Sequence, residues 1–350
     1  MKAYELHAVN DIRYEDVPVP ALKEKEVLVK VMAAGICGSD IPRIYQTGMY
    51  SFPLIPGHEF SGIVEQAGEK TDKKWIGKPV GVFPLIPCRK CVPCQHGQFE
   101  MCRHYSYLGS RTNGGFAEYV AVPEENLIEL PTNVSFEQAA MLEPMSVAVH
   151  AIRRSGIEKG QTAAVLGLGT IGLLLCMFLV EAGVENIYVV GNKEFQKKQI
   201  MEMGIPAQNY CDSRTEKIED WILEKTAGIG ADVFFECVGK AETISQAVQN
   251  TAPGGVVQFV GNPASDILFD KNIYWKILRN QLTVKGSWNS SFIHQSDDDW
   301  HYVLERLKNK SIQPEKMITQ KFPLPELENG LHIMRDKTAE YVKIMMVNNR

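Results

Sequence analysis

The chain has 350 residues, 45% of them hydrophobic and 23% charged, with 37 basic against 42 acidic side chains and a net charge of -5. This composition excludes an intrinsically disordered chain, and the length is enough for two domains of ordinary size. The acidic balance, with no long basic run, argues against nucleic acid or an anionic membrane as the main partner.

The opening Met1-Lys2-Ala-Tyr-Glu-Leu-His has no apolar core of the kind a secretory leader needs. Short β-branched runs bounded by glycine and proline then predict strands at Val27–Val31, Gly62–Glu65, Gly81–Phe83 and Phe116–Val122. The hydrophobic period changes near residue 135, where Ser135 is the expected N-cap of a helix, with a second helix from about Met145 to Ser155. Strands at Thr162–Leu166, Ile187–Val190, Ala231–Phe235 and Val256–Val260 alternate with helices through Val180 and over Phe195–Met203. That alternation predicts a doubly wound parallel sheet. A helix over Asp297–Asn309 and a terminal strand at Val342–Val347 complete the pattern. The longest greasy stretch, Ile171 to Val180, is interrupted by Gly172 and is too short to span a bilayer.

Three groups of residues carry chemistry. The first is Cys88, Cys91, Cys94 and Cys102 within fifteen residues, a spacing that can close a tetrahedron of thiolates around one zinc ion. A closed shell has no open position, so this site is structural. Cys37, Cys176, Cys211 and Cys237 are scattered and imply no disulfide framework, which points to the reducing cytoplasm.

The second group is Gly167-Leu-Gly169-Thr170-Ile171-Gly172, preceded by a predicted strand and followed by a predicted helix, the context a dinucleotide-binding turn requires. The acid expected at the end of the next strand is missing, and Gly191-Asn192-Lys193 stands there instead. Gly191 removes the repulsion of a 2′-phosphate, and Asn192, Lys193 and Tyr210 offer hydrogen bonds, positive charge and a stacking ring. NADP is the expected cofactor, with NAD as the alternative.

The third group is Cys37, His58, Glu59 and Glu143, each a possible zinc ligand but far apart in the chain. Together, Gly35-Ile-Cys37-Gly38-Ser39-Asp40, Gly57-His58-Glu59-Phe-Ser-Gly62, the Cys88–Cys102 loop and Gly167–Gly172 resemble the zinc-containing medium-chain alcohol and polyol dehydrogenases. The resemblance implies a GroES-like, strand-rich catalytic domain over 1–148 and a Rossmann domain over 149–286, with 287–350 returning to the catalytic domain. It puts Cys37, His58 and Glu143 on catalytic zinc ligands, Glu59 on a neighbouring carboxylate that ligates in some states, and Ser39 on the hydroxyl that contacts the substrate oxygen. It also implies two zinc ions per chain and a homodimer or homotetramer.

Cys37–Ile44, Leu108–Tyr119 and Gly286-Ser-Trp288 further resemble the branch that oxidises a hexitol phosphate of the galactitol 1-phosphate type to a ketose phosphate. Arg43 and Arg111 are then candidates for pairing with the phosphate, and Tyr50 and Asn289 for shaping the substrate pocket. An unphosphorylated polyol or secondary alcohol is the alternative substrate. The proton leaves either through Ser39 or through water beside Glu59 or Glu143. A non-enzymatic zinc-stabilised binding module would show a lost catalytic ligand, whereas all four positions are filled.

Overall fold

The computed structural model describes residues 1–348, which fall into two compact units, Met1–Glu143 with Ser291 onward, and Pro144–Ser290. In the first unit, β1 (Lys2–Ala8) and β2 (Asp11–Asp16) form an antiparallel hairpin in the register Tyr4↔Tyr14. The strand β3 (Glu26–Ile36) is longer than its sequence signal because Met32–Ile36 are small or apolar and buried on both faces. It is followed by β4 (Glu59–Ala67), β5 (Pro79–Val82), β6 (Leu85–Ile86), β7 (Ser106–Tyr107), β8 (Tyr119–Pro123) and β9 (Leu127–Glu129). Ser135 caps the helix Phe136–Ala140 in a reciprocal pair. Its hydroxyl accepts the Gln138 N–H at 3.1 Å, while the Gln138 side chain accepts the Ser135 N–H at 3.0 Å.

The second unit holds β10 (Thr162–Leu166), β11 (Asn186–Gly191), β12 (Tyr210–Asp212), β13 (Ala231–Glu236), β14 (Thr251–Phe259) and β15 (Thr283–Gly286). All pair in parallel, in the order β12-β11-β10-β13-β14-β15. The order reverses between β10 and β13, so the loops leaving these strands open a crevice at the switch point. The helix Thr170–Glu181 packs on this sheet and is buried from Gly172 to Leu179, which explains its unbroken apolar sequence. The helix Lys271–Arg279 has no counterpart among the sequence-predicted elements. Its Tyr274, Trp275 and Leu278 are exposed, so they break the inward-facing pattern.

The chain then adds the helix Asp299–Lys308, β16 (Ile318–Phe322), the helix Leu327–Asp336 and β17 (Lys343–Val347). These rejoin the first unit. Its main sheet runs β16-β17-β3-β4-β5-β9, with β8 also paired to β3. The register Ile344↔Ile36 sets β17 antiparallel to the end of β3. Val27, Val31, Phe60, Val80, Phe116 and Ile344 lie in the core beneath this sheet. Among the described residues, no helix is long and apolar enough to cross a membrane.

Candidate active site

Strand register assembles the first cluster. β3 ends one residue before Cys37, β4 begins one residue after His58, and the pairing Gly35↔Glu59 brings those ends together. Ligand atoms of Cys37, His58 and Glu59 consequently lie within 4.8 Å of one another. His58 and Glu59 are buried. The same register logic places Lys343 beside the end of β3, and its ammonium donates to Glu59 Oε2 at 2.5 Å and to the Ile36 carbonyl at 3.1 Å. A Cβ at residue 35 would stand 2.3 Å from Glu59 Oε2, so the glycine makes room for the pair.

Asp40 lies beneath His58, its Oδ1 3.3 Å from Nδ1, and neither atom has another partner. Burial opposes a charge on His58, but Asp40 and then Cys37 outweigh it and hold the imidazole pKa well above its ordinary value. Burial also opposes the charge on Lys343, and Glu59 outweighs it and raises the ammonium pKa. Glu143 lies outside the set of converging ligand atoms. Its Oε1 accepts the Tyr107 hydroxyl at 3.0 Å. Burial, and secondarily Glu59, raise the Glu143 pKa against the pull of His58. Burial and Glu143 likewise push the Tyr107 phenol well above its usual range, so it stays a neutral donor.

Cys37, Asp40, Glu59 and Glu143 thus supply four potential negative charges, against the imidazole of His58, the ammonium of Lys343 and the guanidinium of Arg43. A buried excess of that sign suits a dication. With Asp40 against Nδ1, the other ring nitrogen of His58 is the one available to a metal.

The second cluster sits in the loop between β6 and β7, closed at its base by the pairing Leu85↔Tyr107. Ligand atoms of Cys88, Cys91, Cys94 and Cys102 fall within 4.8 Å of one another. The Cys91–Cys94, Cys91–Cys102 and Cys88–Cys94 sulfurs are 3.5, 3.9 and 4.0 Å apart. A tetrahedral zinc with Zn–S near 2.3 Å has edges of about 3.8 Å, so these thiols fit zinc and are too far apart for disulfides. N–H groups of Arg103 and Cys94 lower the Cys91 pKa to about 6, whereas burial and neighbouring thiols push Cys94 up to about 12. Four thiols this close ionise together only with a cation among them.

The third feature belongs to the second unit. Leu168, Gly191, Asn192, Gln196, Ser213 and Thr243 are among the residues lining a cavity of about 510 Å³. The turn Gly167–Gly169 leads into the helix Thr170–Glu181, whose first residues include Ile171 and Gly172. Gly169, its N-cap, offers no side-chain cap and faces open space, so an anionic group can approach the free N–H groups. A Cβ at residue 172 would stand 1.9 Å from the Gly167 carbonyl, the close helix–turn approach that the third glycine permits. The Tyr210 hydroxyl donates to the Lys193 carbonyl at 3.0 Å and accepts the Lys193 N–H at 3.1 Å. The Lys193 ammonium lies 5.4 Å from the Phe195 ring centroid. The site fits a dinucleotide at its adenosine end.

The Alcohol dehydrogenase GroES-like domain model matches residues 23–132, and the Zinc-binding dehydrogenase model matches residues 170–309. Galactitol 1-phosphate 5-dehydrogenase of Escherichia coli K12 is 30% identical over 319 residues, covering 89% of this chain and 91% of the relative. L-Threonine 3-dehydrogenase of Bacillus subtilis is 32% identical, covering 91% of each. The chain belongs to the zinc-type medium-chain dehydrogenase family. A zinc-binding dehydrogenase from Sinorhizobium meliloti 1021, solved bound to NADP, superposes with a TM-score of 0.90 at 29% identity over 99% of both chains.

For a medium-chain dehydrogenase, the remaining sequence candidates are distributed as follows. Ser39 donates to Cys37 Sγ at 3.3 Å and accepts from Arg43 Nη1 at 3.1 Å. The Arg111 guanidinium is stacked between the rings of Tyr50 and Tyr105, at 4.1 and 4.3 Å from their centroids. Asn289 belongs to the second unit, and its Oδ1 accepts the adjacent Ser290 N–H at 2.8 Å. Sequence reasoning missed Asp40, Tyr107, Lys343 and Gln196. Asp40 lay within a quoted motif and was legible there. A lysine in an apolar terminal strand, Lys343-Ile-Met-Met-Val347, was the available signal for a buried ion pair.

Removing one member of that pair leaves the other charge buried and alone. Lys343→Met is expected to destabilise the zinc-loaded protein by about 3–5 kcal/mol in urea unfolding, and Lys343→Met with Glu59→Gln to recover most of that loss. A single variant within about 1 kcal/mol of wild type would contradict the pairing.

Proposed function

We propose that this dehydrogenase oxidises a secondary hydroxyl of a polyol phosphate, of the galactitol 1-phosphate kind, to the ketone of a ketose phosphate, using NADP in preference to NAD. Cys37, His58 and Glu143 hold the catalytic zinc, with Glu59 as an alternate or neighbouring carboxylate, and Cys88, Cys91, Cys94 and Cys102 hold the structural one. When bound, the zinc lowers the pKa of a substrate hydroxyl as a Lewis acid, and the nicotinamide accepts the hydride.

The chain's own residues do the positioning. Asp40 orients His58 through Nδ1. Arginine has donors only, so the Arg43 contact does not use the Ser39 hydrogen, which is donated to Cys37 Sγ at 3.3 Å and would have to turn from that thiol to reach a reacting oxygen. Tyr107 holds Glu143.

The phosphate reading rests on Arg111. Its guanidinium is sandwiched by two tyrosines, and among the described residues no carboxylate pairs with it. Tyr105 meets Tyr107 edge-on at 6.3 Å, and Tyr107 meets His58 edge-on at 5.8 Å. A cation held by two rings and by a donation from Nη1 to the Tyr105 carbonyl at 3.4 Å, and joined to the metal cluster by a chain of rings, suits an anion remote from the reacting carbon. Arg43, hydrogen-bonded to Ser39, suits the reacting end. The similarity to galactitol 1-phosphate 5-dehydrogenase supports the same substrate class. For the cofactor, Gly191 in place of an acid, with Asn192, Lys193 and Tyr210 around it, supports NADP.

The assembly reading is a homodimer or homotetramer. β15 is a sheet edge, and Val284 on it is exposed, as are Leu268, Trp275 and Leu278 of the same unit. An uncovered apolar edge of this kind invites a second copy. Sedimentation should show a dimer or larger species, and Val284→Lys should shift it toward monomer. A monomeric wild type refutes this assignment.

Metal analysis of active protein should give two zinc ions per chain. Cys37→Ser should lose one ion and activity while keeping its circular dichroism, and Cys91→Ser should lose the other and unfold at lower temperature. One ion in fully active wild type would exclude the two-site reading.

A steady-state screen of hexitols and their phosphates with both cofactors tests the substrate. The highest kcat/KM is expected for a hexitol phosphate with NADP. Arg111→Met should cost about thirtyfold or more on the phosphate ester and under about threefold on the free hexitol. Equal efficiency on both forms would make the enzyme an ordinary polyol dehydrogenase.

A further inference from the structure

Gln196 occupies the third position of the helix Glu194–Glu202 and is only 7% exposed. Its carboxamide bonds in two directions. Oε1 accepts the Asn192 N–H at 3.1 Å, and Nε2 donates to the Leu168 carbonyl at 2.9 Å. Leu168 lies inside the turn Gly167-Leu168-Gly169, and Asn192 follows the last residue of β11. One side chain therefore joins the loop that faces the cofactor phosphates to the loop that faces its adenosine ribose. Both loops line the same 510 Å³ cavity.

The plain alternative is a helix cap. A glutamine at the third helical position often reaches back to a backbone N–H at the helix start. That accounts for Asn192 and not for Leu168, which is 28 residues earlier and on another loop.

A second observation concerns the ground beside Gly191. A Cβ there would stand 2.7 Å from Gln196 Oε1 and 2.8 Å from the Tyr210 hydroxyl. The carboxamide and the phenol occupy the space where an acidic side chain at residue 191 would begin. Residue 196 therefore takes the place beside the loop where an acid at residue 191 would begin, and as a glutamine it adds no negative charge there.

We propose that Gln196 is a positioning and specificity-determining residue of the cofactor site: it fixes the spacing of the two loops and puts a neutral group where an acid would repel a 2′-phosphate. This rests on the dinucleotide site described above. The arrangement needs a donor and an acceptor on one side chain. Glutamate offers acceptors only when ionised, and methionine offers no N–H donor and only a weak sulfur acceptor.

The test measures dissociation constants of NADPH and NADH by calorimetry on the zinc-loaded full chain. Gln196→Met should weaken both about tenfold or more, with the loss appearing in the cofactor KM more than in kcat, and should lower the unfolding temperature by a few degrees because it strands the Asn192 N–H and the Leu168 carbonyl. Gln196→Glu should raise the ratio of the NADPH to the NADH constant about tenfold or more over that of wild type. That ratio of ratios does not depend on which cofactor the wild type prefers, so the NADP reading can fail while this one stands.

Wild-type affinities in Gln196→Met would overturn the proposal, as would a lowered unfolding temperature without loss of affinity. An unchanged ratio in Gln196→Glu would overturn the specificity role. Should Gln196→Glu not fold, the separation of affinity from turnover in Gln196→Met still decides the positioning role.

Discussion

The buried pair of Lys343 and Glu59 is the constraint around which the first unit is built. Two charges removed from water gain little net stability, because desolvation roughly cancels their attraction. What the pair contributes is register. An ammonium within the sheet must meet its carboxylate, so β17 is held against β3 where β4 delivers Glu59. Gly35 supplies the space. The cluster of Cys37, His58 and Glu59 therefore depends on a strand that lies nearly three hundred residues downstream, and the contact Lys343–Glu59 spans 284 positions.

Charge balance organises the rest of that unit. Acidic and thiol side chains converge where an imidazole, an ammonium and the Arg43 guanidinium answer them, and the residues are those that hold a dication. The cysteine lobe is tied to the same place by a short antiparallel pairing. Closing it through Leu85↔Tyr107 fixes Tyr107, and Tyr107 in turn holds Glu143 and packs edge-on against His58. The lobe thus acts on the catalytic cluster by positioning a neutral phenol, although its own four sulfurs face one another.

The second unit solves a different problem, that of holding a long polyanion with backbone groups. Its glycine turn and the loop after β11 are separate segments, and free loops would lose much binding energy to ordering. Tyr210 clamps one side of the loop at Lys193, and Gln196 clamps the other at Asn192. Preorganisation here comes from side chains that replace the missing acid and not from extra charge.

Much of this was legible in the sequence, for reasons specific to each part. The parallel sheet was readable because its strands, buried on both faces, are unbroken apolar runs set between helices. The four cysteines were readable because their ligand set is local, and the glycine turn because its strand and helix flank it directly. The hairpin β1–β2 and the strands β12 and β16 were not predicted, being short and without clean alternation. By itself, the sequence determined the family, the two kinds of fold and the local metal and phosphate motifs, since each is encoded within a few turns of chain. Only the tertiary structure decided that Lys343 pairs with Glu59, that Arg111 is stacked between tyrosines, that Gln196 bridges two loops and that Asp40, visible in the sequence only as part of a motif, supports His58. Those partners are set by strand register and side-chain direction across long separations, which no local spacing records.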